Sequence, residues 1–239
     1  MRHINNTQRI IIATYTTLTL LILLFTTLYS LDSSAQYLRF GVRVAMFLTV
    51  VLIKKNYWEQ KILIPAFFCT VISDYFFVFL RATNPDFVNR EMYGMLGFIL
   101  AYIFLIASFQ RNFRFGKKEV ITLIPFIIIF VLVLVGLMKY AVGFMFWAAI
   151  ILGVVLCYTG MIMVSSLFRG YFSRGTAWRI AIAGSILFLS DMVVAFSIFH
   201  PDFMGFLLWK ENLIWGTYML GWTLLLSVAA EEHLLAPGI

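Results

Sequence analysis

The chain has 239 residues, 62% of them hydrophobic and 12% charged, with a mean hydropathy of +0.95. A soluble domain carries about 45–50% apolar and about 25% charged residues, so this composition excludes a soluble fold and describes a polytopic membrane protein. The net charge of +7 is read as loops touching anionic lipid heads, not as a nucleic-acid surface.

Apolar runs of the roughly 17–25 residues that cross a bilayer fall at about 10–31, 37–53, 62–80, 92–109, 119–138, 143–168, 178–199 and 212–230. They predict an all-α chain of about eight transmembrane helices forming a single transmembrane domain over 1–239. The first run follows Arg2 and Arg9, as a signal peptide would. It is long, Thr-rich and lacks a small-residue cleavage site, and is therefore helix 1. In helix 3, Pro65 is expected in the first turn. The loops are short and leave no room for a soluble domain.

Basic residues gather on one side of this arrangement. Arg2 and Arg9 lie there, with Lys54, Lys55 and Lys61, then Arg111, Arg114, Lys117 and Lys118, then Arg169, Arg174 and Arg179. The other side holds half as many, and two of those, Arg39 and Arg43, lie within helix 2. The positive-inside rule then places both termini in the cytoplasm.

Helix 3 contains SDYFFVF and is followed by NPDF, while helix 7 contains SDMVVAF and is followed by HPDF. Helices 4 and 8 echo as well, with MLGF at 95–98 and MLGW at 219–222. This suggests two four-helix halves, 1–118 and 119–239, related by a parallel repeat.

Asp74 and Asp191 are the carboxylates deep inside predicted spans, and an intramembrane carboxylate is costly enough to read as functional. Asp74 lies seven residues before Arg81 and Asp191 nine before His200. At about 1.5 Å per residue, both sit roughly 10–13 Å below the outer ends of their helices. Facing one another in low dielectric, two such groups do not both ionise readily. One holds a proton while the other stays an anion, which supplies a general acid and a general base. The structural alternative is a packing role, each Asp hydrogen-bonded to a neighbouring helix.

Other polar side chains share that level. Arg39 and Arg43 are four apart on one face of helix 2. Arg43 suits a lipid phosphate or one Asp, because a guanidinium grips oxyanions bidentately, and Arg39 is expected to snorkel to the outer interface. Glu211, Trp215, Tyr218 and Trp222 form one face of helix 8, where Tyr218 is placed to orient a carboxylate or the reacting group. Trp209 and Trp215 also suit an interfacial belt. Tyr102, Tyr93 and Tyr158 are weaker candidates. Ser73 and Ser190, each beside its Asp, complete the substrate-binding set. Cys69 and Cys157 lie in apolar runs and read as small core residues. No His falls within a span, and HExxH, GxSxG and phosphate-cradling Gly loops are absent from the sequence. No metal or cofactor is therefore expected.

GSILFLSDMVVAF in helix 7, ISDYFFVF in helix 3, GMLGFILAY in helix 4 and TYML in helix 8 resemble the YhhN-type lysoplasmalogenase family of eight-helix membrane proteins. The resemblance covers most of the chain and implies that Asp74 and Asp191 are the catalytic pair. It implies hydrolysis of the vinyl ether bond of a lysoplasmalogen, a single-chain lipid, in a bacterial cytoplasmic membrane. The sequence departs from the family pattern at Ser73, usually Gly; at Tyr102, often His; at Leu105, often Tyr; at Arg43-Val44, usually Lys-Pro; and at Trp222, usually Gln. A protonated Asp can donate to the vinyl ether while its ionised partner activates water. The alternatives are a proton-coupled transporter, which would need broken helices beside the site although helices 3 and 7 contain no Gly-Pro interruption near the Asp, or a non-enzymatic membrane protein that uses the pair for packing.

Overall fold

The apolar runs become helices. The computed structural model describes residues 5–29, 32–84, 86–203 and 212–238. In chain order the helices are α1 (Asn6–Tyr29), α2 (Asp32–Leu52), α3 (Trp58–Thr83), α4 (Arg90–Phe109), α5 (Lys117–Leu137), α6 (Gly143–Arg169), α7 (Arg174–Phe199) and α8 (Ile214–Ala229). The first seven are long and apolar enough to cross a membrane, and the described part of α8 is apolar but shorter. The arrangement is all-α, and its side chains are sorted for lipid. Leu20, Leu24 and Leu28 on α1 and Ile121, Leu132 and Val135 on α5 face outward, while Arg43, Thr70, Asp74 and Asp191 are buried. That distribution suits hydrocarbon as the solvent and marks an integral membrane protein.

Two expectations about α3 need correcting. Pro65 lies inside the helix, because residues 58–61, Trp-Glu-Gln-Lys, form an extra first turn. Gln60 closes that turn by accepting from the backbone N–H groups of Asn56 and Tyr57 at 3.0 and 3.2 Å. Further along, the α-helical register stops at Asp74 and gives way to a π-helical stretch, Tyr75–Phe79, before the last turn Leu80–Thr83. A π turn inserts without breaking the helix and is common at functional sites.

The helix pairs α1–α2, α2–α3 and α3–α4 recur as α5–α6, α6–α7 and α7–α8; in addition α8 lies on α1, and α6 on α4. The tightest crossings depend on glycine. A Cβ on Gly97 would lie 3.1 Å from the Cys69 carbonyl oxygen and the Ser73 Cα, and one on Gly221 would lie 2.6 Å from Leu187 Cγ. Both glycines come from the MLGF and MLGW echoes, so those motifs mark where α4 meets α3 and where α8 meets α7.

One end of the bundle gathers both termini. Asn5 and Gln8 at the start of α1 donate to the carbonyls of Ala230 and Ser227, each at 2.9 Å, and Gln60 reaches the Glu231 carbonyl at 2.6 Å. These side chains satisfy carbonyls that the end of α8 leaves without helical partners. Just beyond, Ser173 donates to Leu234 and Ala236 donates to Tyr171 through the backbone, which straps the C-terminal tail across the α6–α7 turn. Asp74 and Asp191 lie toward the opposite end, at matching depth on the parallel helices α3 and α7.

Candidate active site

Asp74 is held from two sides. Arg43 on α2 brings Nε to 2.9 Å from its Oδ2, a contact ion pair although the N–H does not point along the line to the oxygen. Tyr218 on α8 donates its hydroxyl to the same Oδ2 at 2.9 Å. Arg43 also donates to Thr70, one turn before Asp74 on α3, and to Met46 Sδ at 3.3 Å. Its guanidinium sits between rings, 4.7 Å from Tyr218, 5.0 Å from Trp222 and 5.9 Å from Phe67. Cation–π contacts strengthen when desolvated, and here the guanidinium is fully buried. The cation thus balances one buried carboxylate charge that would otherwise be very costly.

Asp191 is held differently. Tyr102 on α4 donates to its Oδ2, and the carboxyl otherwise looks onto apolar side chains of α3–α7. In both carboxylates the protein engages Oδ2, which leaves Oδ1 for the cavity. Ser73 and Ser190, beside the two Asp residues, turn away from them. Ser73 donates to the Gly94 carbonyl at 2.5 Å and Ser190 to the Ile214 carbonyl at 3.3 Å, so each pins its Asp-bearing helix to the next helix in the chain.

A cavity of about 350 Å³ brings the pieces together: Asp74, Asp191 and Tyr218 line it, with Phe77 and Phe98 beside them and Gln36, Arg39, Arg81 and the ion pair Arg90–Glu91, 2.7 Å apart, toward its mouth. Of the two helix 2 arginines, Arg43 is turned onto Asp74, and Arg39 is the one that faces the cavity. Arg39 was expected to snorkel, yet it is only 3% exposed, with its guanidinium 5.5 Å from the Trp215 ring and a donor to Thr26 at 3.3 Å. The aromatic surface of Trp215 takes the place that the outer interface would have filled, so Trp215 is buried and not part of a belt. Trp215, Tyr218 and Trp222 share one buried face of α8 as their spacing implied, while Glu211 and Trp209 lie outside the described residues. Tyr93 and Tyr158 face outward. Cys69 and Cys157 are buried and unbridged. Among the described residues, no three His, Cys, Asp or Glu side chains converge as a metal site would require.

Sequence reasoning missed Thr70, the ring box of Phe67 and Trp222, and the mouth residues Gln36, Arg81 and Arg90. Thr70 carried a usable signal, since it lies four residues before Asp74 in an otherwise apolar run and therefore on the same helix face.

Among the described residues, eight helices, apolar outside, around a buried pair of carboxylates that share a cavity define an integral membrane protein with a polar reaction-sized chamber in the half away from the α1 start and the α8 end. The chain belongs to the YhhN family, whose model matches residues 8–229, a family that includes lysoplasmalogenases. Comparison with curated proteins and with solved structures returns no significant match.

Proposed function

We propose that this protein is an intramembrane lipid hydrolase that cleaves the vinyl ether bond of a lysoplasmalogen, releasing a fatty aldehyde and a glycerophospho-base. The observation that carries the reading is the unequal dress of two carboxylates on one cavity. Arg43 lies against Asp74, and Asp191 has a tyrosine hydroxyl and apolar neighbours. With the contact cation Arg43 on Asp74, Asp74 is the carboxylate better kept as the anion, and Asp191 the one better suited to carry a proton. The assignments follow from there.

Asp191 donates its proton to the alkenyl carbon β to the ether oxygen, which leaves an oxocarbenium ion at the adjacent carbon. Asp74 faces that developing charge as a fixed anion. Water adds to the cation and gives one proton to Asp74, forming a hemiacetal. On collapse Asp74 returns that proton to the departing glyceryl oxygen, and Asp191 takes the hydroxyl proton as the aldehyde forms. One water is consumed, both carboxyls end as they began, and general acid–base steps of this kind contribute about 10²–10⁴-fold each. Tyr102 and Tyr218 hold Oδ2 of each acid so that Oδ1 meets the substrate. The phosphate of the head group belongs at the mouth, beside Arg39 and Arg81, because Arg43 is committed to Asp74 and Arg90 is paired with Glu91 at 2.7 Å.

Basic loops at the end that carries both termini support a cytoplasmic position for that end and a site opening toward the outer leaflet. Aldehyde release by the detergent-solubilised protein, beside Asp74→Asn and Asp191→Asn, tests the reading. Loss of release in both folded variants is expected, and a wild-type protein that releases none from any lysoplasmalogen overturns it.

A further inference from the structure

A second, apolar cleft touches the carboxylate cavity. Phe77, Phe98, Asp191, Val194 and Ile198 line both. From there the cleft runs between α4 and α5, which are consecutive in the chain, with α6 packed on both. Met95 is on one wall, Val133 and Leu137 on the other, and Ala149 and Leu152 of α6 form the back. One turn further along from the lining residues Phe130 and Leu156, aromatic packing draws α5, α6 and α7 together. Phe126 meets Phe188 edge-on with ring centres 4.8 Å apart, and a Cβ on Gly160 would lie 2.6 Å from the Phe126 ring. The flanking surface is lipid-facing: Leu96, Leu100, Ile128 and Leu132 are all exposed.

The cleft is narrow. Its free volume is about 60 Å³, and a water-sized group needs about 10–15 Å³ of such volume, so it admits roughly four to six methylenes. We infer that this cleft grips only the chain segment next to the reacting group, and that the rest of the chain leaves sideways between α4 and α5 into the bilayer. The occupant is one alkyl chain of a lipid, chosen by charge as well as shape. The shared residue Asp191 lies where a dry slot meets a mouth lined by Arg39, Arg81 and the Arg90–Glu91 ion pair, three cations against one carboxylate, which matches a molecule with an apolar tail and an anionic head. This rests on the lipid reading above and adds that selectivity is local. Bulk or branching close to the head is rejected, whereas chain length is tolerated because the distal carbons have lipid, not protein, around them.

The test uses non-hydrolysable ether-linked lysophosphatidylcholine bearing a diazirine either near the head group or near the methyl end, photolysed with the full-length protein in nanodiscs and mapped by mass spectrometry. The head-proximal probe is expected to label α5 and α6 residues of the cleft. The methyl-end probe is expected to label lipid or the outward faces of α4 and α5. Ala149→Phe and, from the opposite wall, Val133→Phe each fill the slot, and each folded variant should lose the proximal labelling several-fold. Methyl-end labelling inside the cleft, proximal labelling elsewhere, or undiminished labelling in the folded variants overturns the proposal. Because the probe is not cleaved, the labelling outcome stands apart from hydrolysis. A protein that labels as expected yet releases no aldehyde sinks the hydrolase reading and leaves the cleft assignment intact.

Discussion

Asp74 and Asp191, 117 positions apart in the chain, line one cavity and are each hydrogen-bonded by a tyrosine from the last helix of the other half. Tyr218 on α8 serves Asp74 on α3, and Tyr102 on α4 serves Asp191 on α7. The exchange ties the halves together at the place where chemistry is proposed.

Interhelical hydrogen bonds inside a bilayer are worth about 0.6–2 kcal/mol. Double-mutant cycles in detergent unfolding should therefore show coupling of about that size for Tyr102→Phe with Asp191→Asn and for Tyr218→Phe with Asp74→Asn. The crossed pair, Tyr102→Phe with Asp74→Asn, should be nearly additive. Coupling in the crossed pair as large as in the direct ones would mean that the tyrosines do not hold separate carboxylates.

Arg43 and Asp74 make a buried pair, and removing one partner of such a pair costs about 3–5 kcal/mol because the other charge is stranded. Arg43→Gln should lower the unfolding midpoint strongly, and adding Asp74→Asn should recover most of the loss while leaving the protein inactive. Arg43→Lys keeps a charge but loses the planar stacking between Tyr218 and Trp222 and the second donor to Thr70, so its stability should fall between wild type and Arg43→Gln. If the double variant is no more stable than Arg43→Gln, the arginine acts by packing and not by charge.

The apolar helices and the two buried carboxylates on one cavity were legible because a charge in an apolar run is conspicuous and helical rise converts spacing into depth. The partners were harder. In a chain with eleven tyrosines, nothing local distinguishes Tyr102 from Tyr93, which faces outward, since the difference lies in which neighbour each helix face meets. Arg39 and Arg43 share a face, so spacing could not say which would turn to Asp74 and which to the cavity; the ring of Trp215, far away in sequence, settles that. The π turn after Asp74 left no Gly or Pro marker among its five residues, YFFVF. A search for Gly-Pro interruptions therefore passed over this irregular stretch beside the site.

The glycines at the two crossings should respond unequally to the same change. At Gly97 the atoms a methyl would meet include the backbone of Cys69 and Ser73, which cannot rotate away, whereas at Gly221 the nearest atoms belong to the flexible side chain of Leu187. Overpacking costs about 1–3 kcal/mol where neighbours cannot yield. Gly97→Ala is expected to be the more destabilising and to lower activity by shifting α3 under Asp74. Gly221→Ala should be mild and repaired by Leu187→Ala. Equal effects at both sites, judged by melting in detergent, would show that the crossings are not set by these contacts.

At the end that gathers both termini, Glu231 offers a pH test away from the membrane interior. Burial alone would push its carboxyl up. The donors around it, Gln8 at 2.9 Å, Arg179, and the His233 backbone N–H at 3.2 Å, together with the positive charge of Arg179, outweigh burial and hold it below the usual glutamate value of 4.5. A carboxyl held low in the folded protein binds protons less readily than in the unfolded chain. Its contribution is therefore complete above the ordinary glutamate value and is lost as pH falls through the folded one. Glu231→Gln should lower the melting temperature at neutral pH and flatten its decline between neutrality and the acid range, because the variant has no such charge to lose. The site lies in the other half of the bundle, so aldehyde release per folded molecule should be unchanged. A variant that melts like wild type at neutral pH, with the same acid slope, would place the stabilising contacts of the α1, α7 and α8 ends elsewhere.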